Sequence, residues 1–359
     1  MKRRHLAALM ALAMVLSGCG ARPEEPPAPE PIKIETLRVE ISKNDQDPQA
    51  LLQEIRELPE LLKAGFDAVA EDTGVEVGDV TVTVGTSPAA TAQAVGEGSV
   101  DVAFLPAAEF VRSGDGAAAV LAEAENHGLS NAGSVPADWN GSEHATALVP
   151  GVRQAGTFAL VCAAPTAYGA QLSARAESGQ TLTWEELSRA RWGVLSRDSL
   201  GGWGCLAVWL AENYDGGTVE QLPDVTEYES FEALLRAAAA GEIDAFPLQA
   251  DARLDVADAW TLGEDEKSSG GMSGFGREKS IWEEVRCIGV TPTLYTTVAA
   301  VSAGDSALTG DAFQNALDTV LVNLGEQEPG SMAAFGSAWF ARIGVGDLEP
   351  LRELLELAG

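Results

Sequence analysis

The stretch AVGEGSVDVAFLPAAEF, residues 94–110, has an echo at AAAAGEIDAFPLQADAR, residues 237–253. In each copy a run of small residues suited to a helix stops at a glycine, and an aspartate, Asp101 or Asp244, opens a short apolar burst. A helix ended by glycine and followed by a continuous apolar run is the pattern of a βα unit feeding a strand buried on both faces. Two copies predict two lobes of the same α/β kind, each a mixed sheet flanked by helices.

The chain around the first copy alternates in the same way. TLRVEIS (36–42) and DVTVTVG (79–85) have strand periodicity, and between them PQALLQEIRELPELLKAGFDAVAEDTG (48–74) is amphipathic at helical spacing and interrupted by Pro59. Ser87-Pro88 is an N-cap followed by a first-turn proline for a helix through Val95, which Gly98 stops. Residues 112–152 are rich in Gly, Ser, Asn and Pro and predict loops forming an insertion over the first lobe.

GTFALVCA (156–163) restarts the strand pattern, and residues 183–214 read helix, strand, Gly-rich turn, helix. After a polar loop at 263–276, VRCIGVTPTLYTTVAAVSA (285–303) is long enough to leave one lobe and return to the other. The expected organisation is lobe 1 over 36–155, lobe 2 over 156–290, and a return strand with C-terminal helices packing across both lobes over 291–359.

Residues 1–19 stand apart from this pattern. MKRRHLAALMALAMVLSGC has a basic head, an apolar run too short to span a bilayer permanently and small residues before Cys19, which is the form of an export signal. Leu16-Ser17-Gly18-Cys19 is similar to the bacterial lipobox, which implies lipid attachment at Cys19. A plain secretory signal is the alternative. The Pro- and Glu-rich stretch 20–35 is expected to be an extended tether.

The chain has 359 residues and a formal net charge of −31; losing Lys2, Arg3 and Arg4 with the signal leaves 54 acidic against 20 basic residues. This balance excludes nucleic acid as a partner. It says little about the ligand, because distant charges are screened over a Debye length of about 8 Å. Beyond Cys19 three cysteines remain, Cys162, Cys205 and Cys287, which permit one disulfide in any of three pairings or none. The two histidines after the signal, His127 and His144, fall in the expected insertion, and no H-E-x-x-H, G-x-S-x-G, P-loop or G-x-G-x-x-G pattern accompanies them. An enzyme, such as a surface-anchored hydrolase, is therefore the weaker reading, and neither cofactor nor metal is expected.

Four segments in order carry a resemblance to a known family: GSVDVAFLPAAEFV, TWEEL followed by RWGVLSRDSLGGWGCL, SFEALLRAAAAGEIDAF and GVTPTLYTTVAAVSAGD. Together they resemble the phosphate/phosphite/phosphonate group of substrate-binding lipoproteins of ABC transporters, over roughly residues 36–335. The resemblance implies a two-lobed periplasmic-binding-protein fold of type II, with hinge strands joining the lobes. It implies capture of a small-molecule oxyanion between the lobes by a monomer, delivery to ABC permease subunits, and membrane contact through the lipid anchor only. A different solute, such as a sulfonate or an amine, is the alternative.

The resemblance also implies a site. Ser196, Ser199, Gly201, Gly202 and Trp203 would form an anion cradle at a helix start, where N–H groups and the helix dipole favour negative charge. Thr86 and Ser87 would be its first-lobe counterpart, and Thr291 a further ligand contact on the return strand. At residue 109 the family's aromatic is replaced by glutamate. Either Glu109 points away or the ligand carries a cationic or hydroxyl group that its carboxylate accepts from, as an aminoalkylphosphonate would.

Overall fold

The computed structural model describes residues 31–44, 47–141, 146–344 and 346–358. Cys19, the tether up to residue 30 and His144 lie outside the described residues. The first part of the chain runs β1 (Ile32–Ile41), α1 (Pro48–Glu54), α2 (Leu58–Thr73), β2 (Val75–Val84), α3 (Pro88–Gly96), β3 (Val102–Pro106), α4 (Ala107–Ser113), β4 (Ala117–Leu129) and β5 (Leu148–Ala155). The second runs β6 (Ala159–Ala163), α5 (Ala167–Glu177), α6 (Trp184–Ser188), β7 (Trp192–Val194), α7 (Cys205–Asn213), β8 (Val225–Glu227), α8 (Phe231–Ala240), β9 (Ala245–Gln249), α9 (Arg253–Trp260), α10 (Ile281–Glu284) and β10 (Arg286–Val290). The chain then returns through β11 (Thr297–Ser302), α11 (Ser306–Thr309), α12 (Asp311–Gln327), α13 (Pro329–Met332), β12 (Trp339–Arg342) and α14 (Glu349–Leu357).

The strands form two sheets. One has the order β12-β4-β11-β3-β1-β2 with β5 paired to β4; the other has the order β10-β6-β9-β7-β8. Helices cover both faces of each. In α2 the residues Leu58, Leu62, Phe66 and Val69 recur at helical spacing and are buried, and Phe66 stacks on Phe313 of α12 with centroids 6.0 Å apart. α14 packs against α4 of the first lobe and α7 of the second, with Leu351 buried.

The echo has a common structural cause. Arg38 N–H and Nε donate to Asp101 Oδ2 at 2.7 and 3.0 Å, and Nη2 donates to Oδ1 at 2.5 Å. In the other lobe Arg191 N–H and Nε donate to Asp244 Oδ2 at 3.1 and 2.9 Å, and Nη2 donates to Oδ1 at 2.8 Å. The backbone answers in kind: Asp101 N–H donates to Arg38 O at 2.9 Å and Asp244 N–H to Arg191 O at 2.7 Å. Each aspartate thus locks the start of one parallel strand to its neighbour through a charge-assisted fork.

Burial pushes the Asp244 carboxyl up, and hydrogen bonds from Arg191 and Thr166 more than offset it, so its pKa lies below the ordinary aspartate value. A carboxyl depressed by folding stabilises above its unfolded pKa, and that stability is lost as pH falls through the folded value. Because the Arg191 side chain is 42% exposed and can be rehydrated, the Asp244→Ala variant is expected to lose about 2 to 3 kcal/mol at pH 7. Urea titration at pH 7 and at pH 3 checks this, since the gap between variant and parent should narrow at the lower pH.

Two expectations are corrected. The first strand begins at Ile32 rather than residue 36, because IKIETLRVEI already alternates and pairs in parallel with β2 from Ile32↔Val75 onward. Residues 112–152 are not a loop insertion over the first lobe. Ala117–Leu129 is a strand of 13 residues inside the sheet, paired with β11, β12 and β5. Its alanines lack the β-branched signature of a strand, yet their small side chains suit close packing between layers. The segment that follows docks on the second lobe: Trp139 is fully buried and packs edge-on against Phe158 at 5.7 Å. Asn140 Nδ2 donates to Cys287 O, and Cys287 N–H donates to Asn140 Oδ1, both at 2.8 Å. A side-chain amide here meets backbone groups of β10 at the sheet edge.

Candidate functional site

Two crossovers join the sheets, residues 156–158 and 291–296, and they run side by side. Thr157 N–H donates to Leu294 O and Leu294 N–H to Thr157 O, each at 2.8 Å. Gly156 has φ +68°, and a Cβ there would meet Leu294 O at 2.7 Å, so only glycine lets the crossovers approach this closely. The second crossover is held to β4 by Glu123, whose carboxylate accepts from the N–H groups of Thr296 at 2.5 Å and Thr297 at 2.8 Å. Burial pushes the Glu123 carboxyl above the usual range, and these two hydrogen bonds oppose the shift without cancelling it.

Beside the crossovers a cavity of about 400 Å³ lies between the lobes. The first lobe supplies Glu123, Glu125, His127, Gln154 and Ser337, and the second supplies Phe231, Gln249, Ala250, Asp251 and Asp255; Phe158 and Gly156 form the crossover wall. Among the described residues neither lysine nor arginine lines it. Of its acids, Asp251 is neutralised. Arg253 Nε donates to Asp251 Oδ1 at 2.9 Å and Nη2 to Oδ2 at 2.8 Å, with both side chains 0% exposed. The same guanidinium donates to Val285 O at 3.1 Å and Trp139 O at 3.0 Å, and it lies 4.6 Å over the Trp282 ring.

Glu125 and Asp255 have no lysine or arginine ion partner among the described residues. Burial raises the Asp255 carboxyl above its ordinary value and Asp251 adds to the rise, while His127 opposes it. The cavity therefore offers carboxylates and a histidine against the aromatic faces of Phe158 and Phe231. That lining suits a group with positive charge or hydrogen-bond donors, and it repels an uncompensated anion.

The residues expected from sequence occupy several places. Ser196, Ser199, Gly201, Gly202 and Trp203 share one turn after β7. Ser199 N–H donates to Ser196 O at 2.9 Å, and Ser199 Oγ accepts from Gly202 N–H at 3.1 Å. A π-helical turn, Leu200–Gly204, then runs into α7. The N–H groups of Leu200 and Gly201 stand at its first turn, where no intrahelical acceptor is available. Gly201 sits against Gln249 of the cavity wall; a Cβ at this position would come within 3.1 Å of Gln249 Cβ. Trp203 instead carries the Arg197 guanidinium 5.1 Å over its ring.

Thr86 and Ser87 are exposed, and Ser87 Oγ accepts from Ala90 N–H at 3.2 Å as the cap of α3. Glu109 pairs with Arg112 at 2.5 Å along α4. Thr291 is buried; its Oγ1 accepts from Ala159 N–H at 2.8 Å and donates to Pro292 O at 3.0 Å. None of these four lines the cavity between the lobes, and neither do Ser196, Ser199, Gly201, Gly202 and Trp203, of which Gly201 reaches it only through its contact with Gln249. Since Ser199 serves as a cap, Ser199→Ala is expected to lower stability by about 1 kcal/mol without any ligand, measured as a shift of the urea midpoint at constant m-value.

Glu123, Glu125, His127, Gln249 and Asp255 are the cavity residues that sequence reasoning missed. One signal was present: Gln249 to Arg253 closes the second copy of the echo, and the polar residues just past a βα strand are where such folds place their ligands.

A sequence model of the family described as "ABC transporter, phosphonate, periplasmic substrate-binding protein" matches residues 52–349. No curated protein matches the chain in sequence. Among solved structures, a binding protein component of an ABC phosphonate transporter from Pseudomonas aeruginosa is 14% identical, with 90% of this chain and 86% of that chain covered and a TM-score of 0.33. PhnD1 from Prochlorococcus marinus, in complex with methylphosphonate, is 12% identical over 90% of this chain and 97% of its own, with a TM-score of 0.33. The periplasmic aliphatic sulphonate binding protein SsuA from Escherichia coli is 12% identical over 92% and 86%, with a TM-score of 0.32. The architecture is mixed α/β, with two sheets flanked by helices. The chain belongs to the phosphonate-type family of periplasmic substrate-binding proteins of ABC transporters, which act outside the cytoplasm in transport and not as enzymes.

Proposed function

We propose that this protein is a lipid-anchored solute receptor of an ABC importer, and that it clasps a small zwitterion between its lobes. The oxyanion end, of phosphonate type, faces the turn from Ser196 to Trp203, where glycine backbone and a helix start favour negative charge. The ammonium end faces Glu125 and Asp255. The observation that carries this reading is the cavity between the lobes, with carboxylates from both and, among the described residues, a histidine but neither lysine nor arginine in its lining. A bare oxyanion would have to sit among these carboxylates at a Coulomb cost that grows as water is excluded.

Capture needs no chemistry, only contacts that exist when both lobes reach the ligand. An organic cation lacking any oxyanion is a second reading, favoured by the same lining. Thermal melts of residues 20–359 against 2-aminoethylphosphonate, methylphosphonate, phosphate and ethylamine separate these readings. A ligand at 100 times its Kd adds about 2.7 kcal/mol of stability. The zwitterion should raise the melting temperature most; stabilisation by methylphosphonate or phosphate alone would overturn the ammonium assignment. The anchor is tested separately: Cys19→Ser should move the protein from the membrane to the soluble fraction.

A further inference from the structure

The family works outside the cytoplasm, where thiols can be oxidised, and the fold distinguishes among the three cysteines. Cys287 of β10 stands directly opposite Cys162 of β6 in the antiparallel register, between the pairs Arg286↔Ala163 and Gly289↔Val161. Both side chains are 0% exposed and belong to the same apolar cluster as Leu160, Phe246 and Leu248, so they project from the same face of the sheet. Residues directly opposite in an antiparallel pair have Cα atoms about 4.5 to 5.5 Å apart, inside the window of about 4.4 to 6.8 Å that a disulfide spans. In this fold all three cysteines are buried free thiols: Cys287 Sγ donates to Gly289 O at 3.2 Å, whereas Cys205 packs with Val208 and Leu294 in a different cluster and donates from Sγ to Thr157 O at 3.6 Å.

We propose that Cys162 and Cys287 are an oxidation site and form a cross-strand disulfide in the exported protein, with Cys205 left as a free thiol. The two thiols lose two protons and two electrons as the S–S bond forms. The electrons go to the disulfide of an extracytoplasmic thiol-exchange oxidant, which is reduced to two thiols through a mixed-disulfide intermediate. Timing follows from burial. In the folded lobe burial pushes the Cys287 thiol up to about 12 and the Cys162 thiol well above its ordinary value. Folded thiols are therefore unreactive, so the bridge forms while β6 and β10 are still open to solvent, and it is shielded from reductant once the lobe closes.

The bridge has a mechanical consequence. β6 follows the first crossover and β10 precedes the second. Joining them fixes the lobe 2 end of both connections, residues 156–158 and 291–296.

The test is the full chain, exported by its own signal, denatured in acid and alkylated with a maleimide before and after reduction, with the peptides carrying residues 162, 205 and 287 weighed by mass spectrometry. Cys205 should be alkylated without reduction, Cys162 and Cys287 only after it, and unreduced digests should contain the linked 162–287 peptides. Alkylation of Cys162 and Cys287 in more than half of the unreduced chains, or a bridge to Cys205, would overturn the proposal. A second readout does not depend on alkylation: reductant added during heating should lower the melting temperature of the parent by several degrees and leave the Cys162→Ala/Cys287→Ala variant unchanged. Equal shifts in both would also overturn it.

Discussion

Replacing Arg253 with methionine is expected to lower the stability of the protein by about 3 to 5 kcal/mol at pH 7, because it strands a fully buried carboxylate. Asp251 receives two charge-assisted hydrogen bonds from this guanidinium, its side chain is 0% exposed, and after the substitution only the backbone N–H of residue 253, at 3.2 Å, still donates to it. The loss also removes the donors to Val285 O and Trp139 O, so the segment docked on the second lobe is loosened together with the cavity floor. Replacing both partners, Asp251→Leu with Arg253→Met, should recover part of the loss, since no charge is then left alone, but not all of it, since the two carbonyls remain unmet. Urea denaturation of the two variants and the parent measures both terms. A single variant within 1 kcal/mol of the parent would show that Asp251 escapes to water or takes up a proton.

The second large effect concerns ligand. Asp255→Asn and Glu125→Gln, one in each lobe, are each expected to weaken binding of 2-aminoethylphosphonate by about 1.5 to 3 kcal/mol, the range for a hydrogen bond to a charged group. That is roughly 10- to 150-fold in Kd at 1.4 kcal/mol per decade. The pH dependence has a definite sign. The raised Asp255 carboxyl takes up a proton at a higher pH than an ordinary aspartate, so calorimetric affinity should fall as the solution is acidified through that pKa. The ligand-free protein responds in the opposite sense, because an acid whose pKa is raised by folding contributes stability below its unfolded pKa and loses it as pH rises. Binding that strengthens on acidification would place the ammonium elsewhere.

Much of the fold was legible because local signals and packing agreed. Ser87 with Pro88, Gly98 with Asp101, and Pro59 within an amphipathic run each carry their meaning within a few residues, and the structure places α3, β3 and the start of α2 accordingly. β4 was missed because the Gly, Ser, Asn and Pro of 112–152 read as loop and the alanines of AAAVLAEAENHGL carry no strand signature; its conformation is imposed by the strands on both sides. The Asp101 and Asp244 latches were visible as a repeat, but their partners Arg38 and Arg191 lie 63 and 53 residues away, beyond any local pattern.

The site was the least legible part for the same reason. Its charges come from β4 and from the residues just past β9, which only the crossovers bring to one cavity. Local motif reading picked out the Ser196–Trp203 turn, a sequence-contiguous feature that does not line the cavity, and was silent about Glu125 and Asp255, which do. The net charge of −31 gave no hint either, because a surplus spread over the surface does not indicate which carboxylates line one cavity.

The claim on which the functional account rests is that one solute is gripped by both lobes at once. Hydrogen exchange of residues 20–359, followed by mass spectrometry with and without saturating 2-aminoethylphosphonate, tests it most directly. The account predicts slower exchange in peptides covering 123–129 and in those covering 249–255, appearing together at the same ligand concentration. Protection confined to one of these segments, or absent from both while the ligand still binds, would contradict it.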